Sequence, residues 1–416
     1  MRKRIVIFIL FALILFPLWM WIAWLMQDDR VLKVLILDKT VLTDAGDEHR
    51  SFNWVLINDK FTKPSHELYE NEKDYFGFFP HDYDTYSIND LEQLKEEKIN
   101  ELVKDNDMTY YTDIYGIYTN DWYNNERDTS LNVSSRKILS IFSNLFGNKK
   151  AALERSKLIY GGLCENDILF LKKMKESKKL IITEFNLIAN PTVGKRRTDV
   201  EEMFKMKWSG WVGRYFDCLD TLVNQELPPW LIRLYKEQHN GKWPFKKSGI
   251  ALVHEDETIA VLENENELSA ELPNIITNPI DQQRFGLPPS IIYSFWFDIM
   301  ASTDSTTNHI ISEYVLHPNS KGDSILTHHH IPKKFPAVFE HYQEDYKFYY
   351  FAGDFADNPI KINYLAELKG IKTFRYFLYN KTDKCDRNRF FWTYYNILVS
   401  KILNTYYNDY KPFAKK

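Results

Sequence analysis

Lys157-Leu158-Ile159-Tyr160, Gly161-Gly162, the helical pattern Glu165 to Lys175, and Lys179-Leu180-Ile181-Ile182-Thr183-Glu184-Phe185-Asn186 follow one another within about 30 residues. The first stretch reads as a strand, the two glycines as a turn, and the last stretch as a second strand. Between them Ile168, Leu169, Leu171 and Met174 recur at helical spacing. Strand, helix, strand is the βαβ pattern, and a right-handed crossover predicts both strands parallel in one sheet. The fold class expected from this unit is α/β, with a parallel or mixed central sheet and helices on both faces.

The rest of the chain extends the same alternation. Val31 to Asp38 is a short apolar strand ending in a carboxylate, followed by a helix around His49–Asn58. Asp74 to Pro80 and Met108 to Gly116 are further strands, with a helix predicted over Ser87–Val103 and capped by Asn89 or Asp90. A helix is expected around Asp199–Phe204, and Pro228-Pro229-Trp230 opens another. Gly249–Val253 and Thr258–Leu262 form a hairpin about the polar turn His254-Glu255-Asp256-Glu257. Asn264–Pro332 reads as irregular, so residues 221–340 are expected to form an inserted or second lobe. Asp121–Ser135 reads as a surface loop. Tyr346 to Phe355 is a late strand, and a helix from Arg389 to Tyr407 closes the chain.

Ahead of this domain, Met1-Arg2-Lys3-Arg4 precedes an uncharged run from Ile5 to Met26, 22 residues long. A helix of that length reaches roughly 33 Å, enough for a hydrocarbon core. The run is longer than a signal peptide's apolar region and ends in bulky residues, not a small-residue cleavage site. Trp19, Trp21 and Trp24 sit where an aromatic belt would lie. Basic residues before the run and Asp28-Asp29 after it predict a cytoplasmic tip and transmembrane anchor over 1–28. Residues 29–416 then form an extracytoplasmic domain, making the chain a single-pass membrane protein with an envelope glycan or envelope protein as its expected partner.

Composition narrows the chemistry. Apolar residues are 44% and charged residues 26%, as in globular domains. The net charge of −4, with no basic block beyond the tip, speaks against nucleic acid. Cys164, Cys218 and Cys385 are too scattered for a disulfide framework or a zinc site, and the run His328-His329-His330 points its rings apart, so no metal is expected. No cofactor is expected either, since no glycine-rich phosphate motif is present.

The order of elements resembles the class I glutamine amidotransferase-like superfamily, a flavodoxin-like α/β fold. Lys157–Gly162 looks like its early strand with a Gly-Gly turn, Leu180–Asn186 like the strand leading to its nucleophile elbow, and Phe348–Asp354 with Arg389–Tyr407 like its late elements. The resemblance implies a Cys nucleophile at the elbow with a His and a carboxylate. Here the elbow reads Glu184-Phe185-Asn186, and His317-Pro318 lacks a following Glu. Glutamine hydrolysis by the usual triad is therefore not expected.

Ligands of parallel α/β sheets bind at the carboxyl ends of the strands. That rule nominates Glu184, Asp113 and Asp354 as catalytic candidates, and Asn186, Tyr115 and Asp38 as ligand-binding ones. Glu184 stands out because an unpaired carboxylate inside an apolar strand is costly. Arg214 is a further ligand-binding candidate, with a buried pair to Asp217 as its competing role. Two expectations follow: an extracytoplasmic binding module lacking the glutaminase triad, or a carboxylate-dependent hydrolase acting on envelope glycans or esters.

Overall fold

The computed structural model describes residues 15–43, 45–81, 85–123, 156–224 and 226–414. Strands β1 (Val34–Asp38) and β5 (Leu180–Glu184) are buried at every position. Such apolar runs, without alternation, belong to parallel strands covered on both faces. Their partners are β2 (Phe76–Pro80), β4 (Met108–Tyr111) and β14 (Lys347–Phe351). All four pairings along β14-β5-β4-β1-β2 are parallel. In chain order these five strands run 2-1-3-4-5, which places a topological switch point between β1 and β4.

Antiparallel strands extend the sheet at both ends. β3 (Tyr86–Asn89) pairs with β2. On the other side β13 (Lys334–Tyr342), β12 (His309–Val315), β9 (Asn274–Thr277) and β10 (Ser290–Ile292) follow β14, giving ten strands. A second, antiparallel sheet runs β8 (Ile259–Glu263), β7 (Gly249–His254), β6 (Met206–Phe216), β11 (Trp296–Ser302). The predicted hairpin is the β7–β8 pair, in register from Gly249↔Glu263 to Val253↔Ile259.

Adjacent residues of β4 show where the helices lie. Tyr110 stacks on Phe52 of α1 (Asp47–Asn58), with ring centroids 4.1 Å apart. Tyr111 points the other way and donates to Asp167 of α3 (Glu165–Glu176) at 3.3 Å. Neighbouring strand residues face opposite sides, so α1 and α3 cover opposite faces. α2 (Glu96–Asp105) and α4 (Lys195–Phe204) pack beside α3, and α5 (Asn396–Ala414) beside α1.

Several expectations need correction. Leu158–Tyr160 does not join the sheet of β5; it pairs antiparallel with Ile117–Tyr118. The βαβ unit is instead β4–α3–β5. Gly161 lies against Gly116, where an added Cβ would come within 2.7 Å of the Gly116 Cα, so this crossing admits only glycine. The helix predicted from Ser87 starts at Glu96. Before it, β3 takes Tyr86–Asn89, and Asp90 accepts from the Glu92 amide in a local turn. Asn264–Pro332 is not irregular: it supplies β9 to β12, three of them in the ten-stranded sheet.

Most of the stretch predicted as a surface loop, and residues 1–14 of the predicted anchor, lie outside the described residues. The rest of the anchor is helical over 15–25. Among the described residues no helix is long and apolar enough to cross a membrane. Residues 15–25 instead rest on the domain. Trp24 is buried, its Nε1 donates to the Ile57 carbonyl in the last turn of α1 (3.1 Å), and the Lys60 Nζ sits 3.8 Å from its ring.

Candidate functional site

Four of the sequence-nominated carboxylates converge where the parallel strands end. Asp38 closes β1, Asp113 follows β4, Glu184 closes β5 and Asp354 follows β14. The loops at the switch point hold one another. The Thr40 hydroxyl donates to the Asp113 carbonyl (3.1 Å) and accepts from the Gly116 amide (2.9 Å).

Each carboxylate has a different setting. Asp38 accepts from the Thr40 amide at 3.0 Å and meets His49 Nδ1 at 2.6 Å. His49 Nε2 lies 2.7 Å from the Asn71 carbonyl, which can only accept, so Nε2 carries a hydrogen. Both ring nitrogens are thus engaged, and His49 braces Asp38. Asp113 Oδ1 accepts from the Tyr115 amide (2.8 Å) and the Asn186 side chain (3.2 Å). Burial, with the charges of Asp38 and Asp298, lifts the Asp113 carboxyl to about 7 against those hydrogen bonds.

Glu184 is wholly buried, and its Oε2 accepts from Tyr110 at 3.0 Å. Tyr110 in turn lies 2.9 Å from the Tyr395 hydroxyl. Oε1 is buried without a hydrogen-bond partner, and the nearby Ala356 amide favours the charged form. Burial holds Glu184 well above the usual carboxylate range. Asp354 is 93% shielded by the fold, being 7% exposed, and its Oδ1 is buried without a partner. Burial first, then Asp357, Asp113 and Glu184, push it upward, and Arg387 only partly offsets them.

The Gly353-Asp354 corner has a steric origin. A Cβ at Gly353 would lie 2.3 Å from the Tyr314 hydroxyl oxygen and 2.5 Å from the Phe355 ring, so the packing around this corner favours glycine. The Asp298 amide donates to Ala352 (3.0 Å) and the Asp354 amide to Trp296 (3.1 Å), tying β11 to the end of β14.

Asn186 stands at the elbow after β5 with φ 62°, in the left-handed region that Asn tolerates better than most residues. Its amide donates to Asp298 (2.9 Å) and its side chain to Asp113. Tyr115 is at the rim, half-buried, its ring 4.8 Å from that of Tyr118. Arg214 does not pair with Asp217. It reaches Glu226 at 2.7 Å, and the Phe295 ring lies 5.1 Å from its guanidinium. Strand alternation explains this, since Arg214 turns inward where Asp217 lies past the strand end and exposed. Cys164 caps α3, accepting from the Asp167 amide, and burial pushes its thiol up to about 12. His329 packs edge-on to Trp211, 5.3 Å away.

No family model matches the chain, and no curated protein sequence matches it. Among solved structures, the carbohydrate deacetylase Agd3 aligns at 7% identity and a TM-score of 0.27, over 89% of this chain. The chain covers 33% of that deacetylase, about a third of its length. A putative ThuA-like protein from Bacteroides uniformis aligns at 8% identity and a TM-score of 0.33, covering 87% of this chain and 96% of its own. Similarity this low assigns neither a family nor a chemistry.

Sequence reasoning missed five neighbours of the site. Glu48, in the first turn of α1, is half-buried and is pushed upward by desolvation and by Asp38 and Asp357. His49 adjoins it. Asp298 lies within the apolar run Trp296-Phe297-Asp298-Ile299-Met300, a signal of the same kind that singled out Glu184. Burial lifts it to about 6, against hydrogen bonds from Tyr350 (2.6 Å) and the Asn186 amide. Asp357 and Arg387, paired at 3.2 Å, had no local signal. Arg387 also lies 3.8 Å from the Phe295 ring that Arg214 approaches at 5.1 Å.

Proposed function

We propose that this cluster of carboxylates at the strand ends is an acid–base site for hydrolysis, in a domain tethered to a membrane by its N-terminal segment and facing the cell envelope. The observation that carries the reading is Asp354: a buried carboxylate with an unpartnered oxygen, close enough to Asp113 at the end of another parallel strand for the two charges to interact. Leaving a buried polar group unpaired costs free energy, which a substrate atom bonded there would recover.

The two environments divide the roles. Asp354, with a buried unpaired oxygen and acidic neighbours, keeps its proton and serves as the acid. Asp113, held by two N–H donors and balanced near neutrality, serves as the base. Asp113 takes a proton from water as the water oxygen bonds to the reacting carbon. Asp354 gives its proton to the leaving oxygen as the bond to that oxygen breaks. Glu184, sealed behind Tyr110, supports the electrostatics without reaching substrate. The fold reading that accompanies this proposal is a diverged amidotransferase-like domain, with Asn186 at the elbow where the nucleophile would stand. The substrate class is an envelope glycan or ester.

A binding module is the second reading. It is favoured by how closed the strand ends are, with Asp38 and Glu184 fully buried. One experiment separates the two. The full chain is incubated with purified envelope polysaccharide, and released reducing ends and carboxylic acids are measured for wild type, Asp354→Asn and Asp113→Asn. Turnover by wild type that is lost in both variants supports the hydrolase. Retained affinity for polysaccharide with no product from wild type supports the binding module.

A further inference from the structure

The helix over 15–25 does not stand alone on the surface. Beside it, the segment from Tyr364 to Lys384 presents Phe377 at 82% exposure and Tyr364 at 68%, with Tyr376 and Phe374 also exposed. Phe16 of the helix meets Phe374 edge-on at 5.6 Å, Trp21 donates to Glu367, and the Lys369 amide donates to the Met20 carbonyl. Exposed aromatics of both elements therefore form one patch, continued on the helix by Trp19 at 63% exposure. Singly exposed apolar residues are ordinary, but a contiguous aromatic patch marks an interaction surface.

Charge identifies the partner. From Tyr364 to Lys384 the segment holds five basic residues against two acidic ones, Glu367 and Asp383, in a chain whose net charge is −4, and Lys372 is already paired with Asp59 at 2.6 Å. The basic residues are spaced, not run together. The Arg375 guanidinium lies 4.9 Å from the Tyr376 ring and the Lys381 ammonium 5.6 Å from the Phe377 ring. Aromatic rings interleaved with cations suit the headgroup layer of an anionic bilayer.

We propose that the patch of Tyr364, Phe374, Tyr376 and Phe377 lies in the headgroup layer of an anionic phospholipid membrane, fixing the domain's orientation. The proposal rests on the anchor reading above. It also sets the height of the carboxylate cluster. The docked helix meets the last turn of α1, whereas Glu48 and His49 occupy its first turn. The Trp24 contact at Ile57 thus lies about 12–13 Å along α1 from Glu48 and His49.

The test uses the full chain with Cys218 and Cys385 changed to Ser, reconstituted into vesicles of phosphatidylcholine and phosphatidylglycerol that carry headgroup nitroxides. A fluorophore is attached at Phe377→Cys or, as control, at Lys195→Cys, an exposed site starting α4 across the sheet. The account expects fluorescence at 377 to fall by more than half and that at 195 to stay unchanged. Vesicle-bound protein with no quenching at 377 overturns the proposal while leaving the anchor intact. Protein that fails to float with vesicles overturns both. Equal quenching without phosphatidylglycerol overturns the assignment to anionic lipid.

Discussion

Asp38 and Lys39 are neighbours at the end of β1, and each enters a buried charged cluster of a different kind. Lys39 donates to Asp167 (2.7 Å) and to the Gly162 carbonyl (3.0 Å), with Asp90 at 3.8 Å. Asp167 in turn accepts from the Cys164 amide at 2.7 Å and from Tyr111. Burial alone would lower the Lys39 ammonium, yet Asp167 and its neighbours raise it. On the Lys39 side one carboxylate oxygen, Asp90 Oδ2, lacks a hydrogen bond but faces the ammonium at 3.8 Å, whereas on the Asp38 side Asp354, Glu184 and Asp298 each keep a buried oxygen without a hydrogen bond. The paired cluster holds the loops around α3 in place. The unbalanced one costs stability that binding or chemistry must justify.

That contrast can be broken by substitution. The largest effect is expected in the paired cluster. Lys39→Met strands Asp167 as an uncompensated buried charge and should cost about 3–5 kcal/mol in urea unfolding at neutral pH. A loss under about 1 kcal/mol would mean the pair contributes little. In the carboxylate cluster, Asp354→Asn should reduce hydrolysis about 100-fold or more, measured as product released per unit time. A variant with wild-type turnover removes Asp354 from the chemistry.

The third effect is on pH dependence. The folded Asp113 carboxyl titrates at about 7, above the roughly 3.9 of an unfolded aspartate. The folded state therefore holds its proton more tightly, so this contribution to stability is full below about 3.9 and falls away as pH rises through 7. Asp113→Asn should flatten the decline between those values in a pH series of urea midpoints. A curve parallel to wild type would contradict the shift. The smallest effect is at Cys164. With its thiol pushed up to about 12, it should resist alkylation at pH 8 in the native state, and Cys164→Ser should change stability by less than about 1 kcal/mol. Rapid native-state labelling at Cys164, mapped by peptide mass, would refute its assignment as a cap.

The two clusters were also unequally legible in the sequence. Strand ends are local, so Asp38, Asp113, Glu184 and Asp354 could be named from apolar runs that stop at a carboxylate. What those carboxylates meet is not local. Arg387 lies 30 residues beyond its partner Asp357, and Asp298 reaches Asn186 from a strand of the other sheet. Burial separated the nominees in a way that periodicity could not: Glu184 looked strongest for sitting inside an apolar strand, and that same position seals it behind Tyr110.

The fold followed a similar division. The apolar runs of β1 and β5 and the β7–β8 hairpin were visible because their signals are short-range. The pairing of Leu158–Tyr160 was misjudged because two glycines, Gly116 and Gly161, bring distant backbones together. The strands within 264–332 were hidden because β9, β10 and β12 lie on the flank of the sheet, where exposed and polar positions interrupt the apolar pattern.

The central claim is that the carboxylate cluster keeps Asp354 for chemistry and not for the fold. The most direct test is the unfolding free energy of Asp354→Asn against wild type in urea at pH 7. The account predicts a variant at least as stable as wild type, since an amide replaces a buried carboxyl whose Oδ1 is left unpartnered. A loss of about 2 kcal/mol or more, as for a partnered buried group, would contradict it.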